Sequence, residues 1–147
     1  MTTVEGRELL DLPPAEVWRR LNDPPALAAA IPGCSALDPQ TDGSFLATMT
    51  VAVGAVRGSY DGTLRYEEVE APDRCTIAIA GRGKLGEIAG RGKLELVAVA
   101  DGTEVAYAGS FEVRGKVAAV GGRVIGGVAR RVIVETLRNL ARGDGAA

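Results

Sequence analysis

From Phe45 to Glu67 the sequence alternates with a period of two, and this pattern limits the fold more than any other feature. Phe45, Ala47, Met49, Val51 and Val53 fall on one face of a strand, with Thr48 and Thr50 on the other. Past a tight turn at Gly54-Ala55, Val56, Gly58, Tyr60, Gly62, Leu64 and Tyr66 alternate with Arg57, Ser59, Asp61, Thr63, Arg65 and Glu67. Successive side chains of a strand point to opposite faces, so the pattern means a sheet with one buried face. Further strands are expected at about 74–82, 92–100 and 103–113, with turns at Ala71-Pro72-Asp73 and Asp101-Gly102. Every link is short, which makes the meander antiparallel.

Helical segments flank the meander. A first strand over residues 4–12 is broken by Pro13 and Pro14. Pro14 can open a short helix, AEVWRRL (15–21), because the first turn has no use for its N–H. Asn22-Asp23-Pro24-Pro25 ends it and starts a second, ALAAAI (26–31), which stops at Pro32-Gly33. Residues 116–142 are expected to form one long helix. There Val117, Val120, Val124, Val128 and Val132 recur at spacings of three and four, a single face that Ile125, Ile133, Leu137 and Leu140 widen.

A sequence of 147 residues that is 46% apolar suits one folded domain with a real core. It has no histidine, which removes the commonest general base, the Ser-His-Asp triad and most zinc sites. Two cysteines, Cys34 and Cys75, are too few for a disulfide scaffold and read as small buried apolar residues. A net charge of −2 argues against nucleic acid as a partner. The charge is uneven, however. From Lys116 onward six basic residues face two acids, a net +4, which leaves −6 on the first 115 residues. No apolar stretch approaches the ~20 residues of a spanning helix and no signal peptide opens the sequence, so a soluble, cytoplasmic protein is expected.

Residues 81–94 read GRGKLGEIAGRGKL, and the first six spell G-x-G-x-x-G. A dinucleotide site needs a helix directly after those glycines, since the helix N-terminus binds the pyrophosphate. Here Gly90 and Gly92 follow and then a strand, while Asp101, the would-be ribose ligand, sits in a hairpin turn. Nor is Lys84 followed by the Ser or Thr of a phosphate loop. The repeated GRGKL reads instead as two arms of a hairpin, with Leu85 and Ile88 at an exposed tip (85–89) that could touch a membrane or partner.

Gly58, Gly62, Gly81, Gly83, Gly92 and Gly109 fall on inward positions, interleaved with Met49, Tyr60, Tyr66, Tyr107 and Phe111. One reading is that the glycines permit bends in a curved sheet. The other is that they leave room, filled either by the last helix, with its own Gly121, Gly122, Gly126 and Gly127, or by a ligand. Trp18 could line a cavity mouth or anchor the first helix. The tyrosine hydroxyls could meet a quinone carbonyl or simply reach backbone or solvent. The basic residues of the last helix could meet anionic headgroups or an acidic enzyme surface, and otherwise form a solvated face.

Strand, two short helices, antiparallel meander and long terminal helix together resemble the α+β helix-grip fold of the START and Bet v 1 superfamily, a curved antiparallel sheet wrapped around a long C-terminal helix. Within it the sequence resembles CoxG, a family of carbon monoxide dehydrogenase subunits. PPAEVWRRLNDPPALAAAIPGC (13–34), VAVGAVRGSYDGTLRYEEVEAP (51–72), GRGKLGEIAGRGKLEL (81–96) and GKVAAVGGRVIGGVARRVIVETLRNL (115–140) carry the likeness. It implies a single domain over 1–142 with a short disordered tail at 143–147. The same likeness implies a protein that is not itself an enzyme, holds no covalent cofactor or metal and has no catalytic residues. Such a protein would bind menaquinone or another quinone or prenyl lipid. It would serve a carbon monoxide dehydrogenase or related molybdenum hydroxylase, at the inner face of the cell membrane. The expected ligand-binding set is Trp18, Ile31, Met49, Val51, Gly58, Tyr60, Gly62, Tyr66, Leu85, Ile88, Tyr107, Phe111, Val120 and Val124. An adaptor that docks on the dehydrogenase without a ligand is the alternative. A polyketide-cyclase-like enzyme is the third, for which the inner face supplies only tyrosines and Glu68 at a strand end.

Overall fold

The structure is a computed structural model that describes residues 1–52 and 56–142. Its elements are β1 (Thr2–Leu10), α1 (Pro14–Leu21), α2 (Pro24–Ala30), β2 (Cys34–Pro39), β3 (Phe45–Val51), β4 (Gly58–Glu70), β5 (Arg74–Gly83), β6 (Gly86–Val99), β7 (Gly102–Arg114), a 3-10 turn (Lys116–Val120) and α3 (Gly122–Arg142). The seven strands form one antiparallel sheet in the order β1-β7-β6-β5-β4-β3-β2. β3 to β7 form the expected meander, β2 adds an edge strand before it, and β1 closes it on the far side by pairing with β7. With α3 running past β1 and against α2, this is a helix-grip α+β fold.

Both short helices begin on a proline. The ring fixes φ near its helical value at a position whose N–H needs no partner. That is why α2 starts at Pro24, two residues before the expected Ala26. The α1 side chains also hold the far end of α3. Arg20 Nη1 donates to the carbonyls of Leu140 (2.9 Å) and Ala141 (3.3 Å), which lack partners inside their own helix. Glu16 accepts from Arg19 and Arg20 at 2.7 Å and fixes the guanidinium for that task. Asn139 Nδ2 in turn donates to Ala30 O at the end of α2 (3.0 Å).

The structure adds one strand and corrects three expectations. Residues after Pro32-Gly33 form an edge strand, β2, that the sequence pattern does not mark. The first strand spans Thr2–Leu10, two residues earlier than expected. The hairpin turn is Lys84 and Leu85 alone, because Gly83 and Gly86 already pair across it and β6 starts at Gly86. The long helix starts at Gly122, not Lys116: the preceding residues form a 3-10 turn that ends at Gly121, whose φ of +92° breaks the helix. The expected continuation of β3 to Val53 and the turn at Gly54-Ala55 lie outside the described residues, as does the tail at 143–147.

The inward glycines of neighbouring strands pair with one another, Gly62 with Gly81 and Gly92 with Gly109. A Cβ on Gly109 would stand 2.7 Å from Arg91 O and 2.8 Å from Gly92 Cα. One on Gly62 would fall on the Ala80 carbonyl and 2.9 Å from Gly81 Cα. Adjacent backbones thus press together on the inner side of the bend, as the bent-sheet reading requires. The helix glycines meet none of these. Gly122 and Gly126 lie over Thr2 at the sheet edge, and Gly127 faces open space.

Candidate functional site

The inner face carries two separate apolar cores. The first, between α1, α2, the C-terminal half of α3 and the sheet, includes Leu10, Val17, Leu27, Val105, Leu137 and Leu140, each less than 6% exposed. The second is smaller and sits at the hairpin end: Val56, Phe111, Val117 and Ile125, with Val4, Val51, Leu85, Ile88, Val120 and Val128 packed around them.

Between the two cores the inner face is incompletely covered. Ile79 pairs in register with Leu64 and Gly90, so it points inward, yet it is 38% exposed. Met49 and Tyr60 pair with each other on the same face and are half-buried. Among the described residues, Met49, Tyr60 and Ile79 join neither core. The physical cause is the course of α3, which makes its closest backbone approach to the edge strand β1 and to α2. The result is an incompletely covered apolar strip along β3, β4 and β5, which we call the inner cleft. Water against such a surface costs about 25 cal/mol per Å², which an apolar occupant would recover.

The expected ligand-lining residues divide among these regions. Trp18, Ile31, Tyr66 and Tyr107 belong to the first core. Trp18 meets Tyr66 in a tilted pair with ring centres 5.7 Å apart, and Phe45 meets Tyr66 edge-on at 6.3 Å. The Tyr107 ring lies over Gly6, where any Cβ would strike its hydroxyl end. Val51, Leu85, Ile88, Phe111 and Val120 belong to the second core. Leu85 and Ile88 are therefore half-buried structural contacts and not an exposed tip, because the two-residue turn folds Leu85 onto Val117 and puts Ile88 inside a strand. Met49, Gly58, Tyr60 and Gly62 stand on the cleft's β3–β4 side. Val124 is 47% exposed and lies off the buried stripe of α3, which runs through Ile125, Ala129, Ile133, Leu137 and Leu140. The valine spacing misplaces it, since the valines before Gly121 belong to the 3-10 turn. Ile79 is absent from the expected set, although alternation along Cys75, Ile77, Ile79 and Gly81 carries the signal.

The polar groups beside the cleft are already engaged. Tyr60 donates to Val56 O and Tyr66 to Leu21 O, both at 2.7 Å. Burial raises the pKa of both phenols, so both stay protonated and neither is a base. Burial also pushes the Cys75 thiol up to about 11 and raises Cys34, whose Sγ donates to Ala36 O at 3.3 Å. Glu68, at the strand end, accepts from Thr76 Oγ1 at 2.8 Å. Among the described residues no cluster of three metal-ligating side chains occurs, and no helix is long and apolar enough to cross a membrane.

A concavity of ≈ 650 Å³ lies on the opposite, solvent side of the sheet. Thr63, Ala80 and Ala89 floor it, and Asp61, Arg82, Glu87 and Arg114 follow one another at successive cross-strand positions along it. Its alternating charges suit a protein surface and not a lipid. The cleft on the inner face is the better match to an apolar ligand.

The family model for CoxG, described as a carbon monoxide dehydrogenase subunit, matches residues 6–143. A conserved protein from Geobacillus kaustophilus is 30% identical, with a TM-score of 0.90 over 97% of this chain and 93% of its own. A Mycobacterium smegmatis protein (16% identity, TM-score 0.68, 95% of this chain and 88% of that one) shares the fold. So does one from Thermus thermophilus (11%, 0.69, 95% and 94%). No curated protein matches the sequence.

Proposed function

The protein belongs to the CoxG family of carbon monoxide dehydrogenase subunits, and on that premise we propose that it is a non-catalytic carrier. It binds a quinone such as menaquinone, or another prenyl lipid, in the inner cleft. It serves a molybdenum-containing carbon monoxide dehydrogenase and links that enzyme to the membrane or its quinone pool. The observation that supports this most is Ile79, an inward aliphatic side chain left 38% exposed between two packed cores. The cleft offers hydrocarbon, while the neighbouring Tyr60 and Tyr66 hydroxyls donate to backbone. This favours recognition of a prenyl tail over chemistry on a head group. The raised phenol and thiol pKa values support the non-enzymatic reading, since none of these groups is an ionised base near neutral pH.

Native mass spectrometry of the protein from its own host, with organic extraction, tests this. A quinone or isoprenoid at near one equivalent, lost on Ile79→Asp and kept on Val124→Asp, is the expected result. A clean apo mass that persists after incubation with quinones would sink the carrier reading. The second reading, an adaptor that docks on the dehydrogenase without a ligand, is favoured by the outer concavity with its ordered charges. Charge reversal at Arg82 and Arg114 would then abolish co-purification of the dehydrogenase.

A further inference from the structure

The glycine-rich hairpin has no part in the cleft chemistry, yet its tip forms a pocket of its own. Gly86 (φ +147°) and Gly115 (φ +94°) bring the hairpin and the link after β7 into backbone contact. A Cβ on Gly115 would stand 2.7 Å from Gly86 Cα, and one on Gly86 would fall on Arg114 O. Val117 N–H donates to Leu85 O at 2.7 Å and locks the two segments together. Lys84, from the hairpin, and Lys116, from the link, are thereby brought to one pocket of ≈ 350 Å³ that Arg82 also lines. Glu87 is the one acid in its wall, so three cations face one anion.

These cations are not used to hold the fold. Among the described residues none of Arg82, Lys84 and Lys116 takes part in an ion pair. Apart from Arg123, the basic residues of α3 differ, two in ion pairs and two in hydrogen bonds. Arg130 donates to Glu5 O, Arg131 to Glu135, Arg138 to Glu8 and Arg142 to Asn139. The positive charge is therefore largely engaged along the helix and left free at the hairpin tip. We propose that this tip pocket is an anion site for a phosphate-bearing ligand, held by Lys84, Lys116 and Arg82. Ammonium groups act on phosphate as point charges and need no forked geometry, which suits two lysines on separate segments. Gly83, Gly86 and Gly115 line the same pocket, and their close backbone contacts fix the separation of the segments that carry Lys84 and Lys116. The site is independent of any lipid in the inner cleft.

Amide NMR spectra recorded during titration with inorganic phosphate, against sodium chloride at equal ionic strength, test the proposal. Saturable shifts at Lys84, Gly86, Gly115 and Lys116 are expected with phosphate alone. The double variant Lys84→Ala/Lys116→Ala should weaken binding about tenfold or more, and Arg131→Ala should leave it unchanged. Vesicle co-sedimentation then separates the sources. Retention on phosphatidylglycerol but not phosphatidylcholine vesicles, lost in the double variant, assigns a lipid headgroup; equal behaviour on both, with phosphate binding intact, assigns a soluble phosphate compound. Equal shifts with chloride, shifts centred on α3, or phosphate binding that survives in a folded double variant would overturn it.

Discussion

The two cores on the inner face are built on different terms. The first is tied from several sides: two proline-started helices, Arg20 on the last carbonyls of α3, Asn139 on the end of α2, and Thr103 Oγ1 on Leu12 O at 2.6 Å. The second is held by a tight hairpin, a 3-10 turn and glycines that let backbones touch. One region uses side chains to fix helices; the other uses glycines to bring backbone segments together. The cleft lies where neither extends, so its opening is governed by the weaker neighbour, the second core. Local opening is expected there first, because small clusters with few buried contacts open at lower free energy.

Leu137→Ala should do the most damage. It empties a site 3% exposed inside the first core and should cost about 2–5 kcal/mol in urea unfolding. Ile125→Ala, at a second-core position 8% exposed, should fall near about 2 kcal/mol, since its surroundings can collapse. Equal losses would erase the distinction between the cores. Gly109→Ala places a methyl against backbone that cannot swing away, and about 1–3 kcal/mol should be lost. Gly127→Ala goes the other way: the position is helical and open, so about 1 kcal/mol should be gained. If both glycine variants behave alike, the sheet glycines are not there for the bend.

The smallest effect is a pH slope at the first core's ties. Hydrogen bonds from Arg19 and then Arg20 hold the Glu16 carboxyl at about 2, below its ordinary 4.5. A lowered folded-state pKa means the contribution is present above pH 4.5 and is lost as pH falls toward 2. Glu16→Gln should lower stability above about pH 5, where the contribution is fully present, and leave it nearly unchanged near pH 2, so that the acid limb of the stability–pH curve flattens. A curve of unchanged shape would remove Glu16 from the ties that hold α1.

Much of the fold is legible because it repeats locally. Alternation marks β3 to β5 and β7, Asp101-Gly102 marks the β6–β7 turn, and the paired prolines mark α1 and α2. β2 is not legible: CSALDP is six residues long and its register shifts between Cys34 and Ala36, so no clean period two survives. The run Val117, Val120, Val124 satisfies a helical period on paper, but Gly121 with positive φ resets the phase. That one residue moves the buried stripe onto Ile125 and leaves Val124 in solvent. At the candidate site, alternation supplies the inward faces of Met49, Tyr60 and Gly62. It does not show that Tyr60 turns back to Val56 O, nor that Tyr66 donates to Leu21 O, which lies 45 positions away and reaches it only through the folded protein.

The sequence by itself determined the types of most elements, the antiparallel order of the meander, the inward glycines and the lack of histidine chemistry. These depend on residue type and on spacings within a few positions. Tertiary structure alone decided which inward residues are covered. Where α3 crosses the sheet depends on contacts more than a hundred positions apart, such as Arg130 with Glu5 and Arg20 with Leu140. That crossing leaves Ile79 open while its neighbours are packed, and no local pattern encodes it.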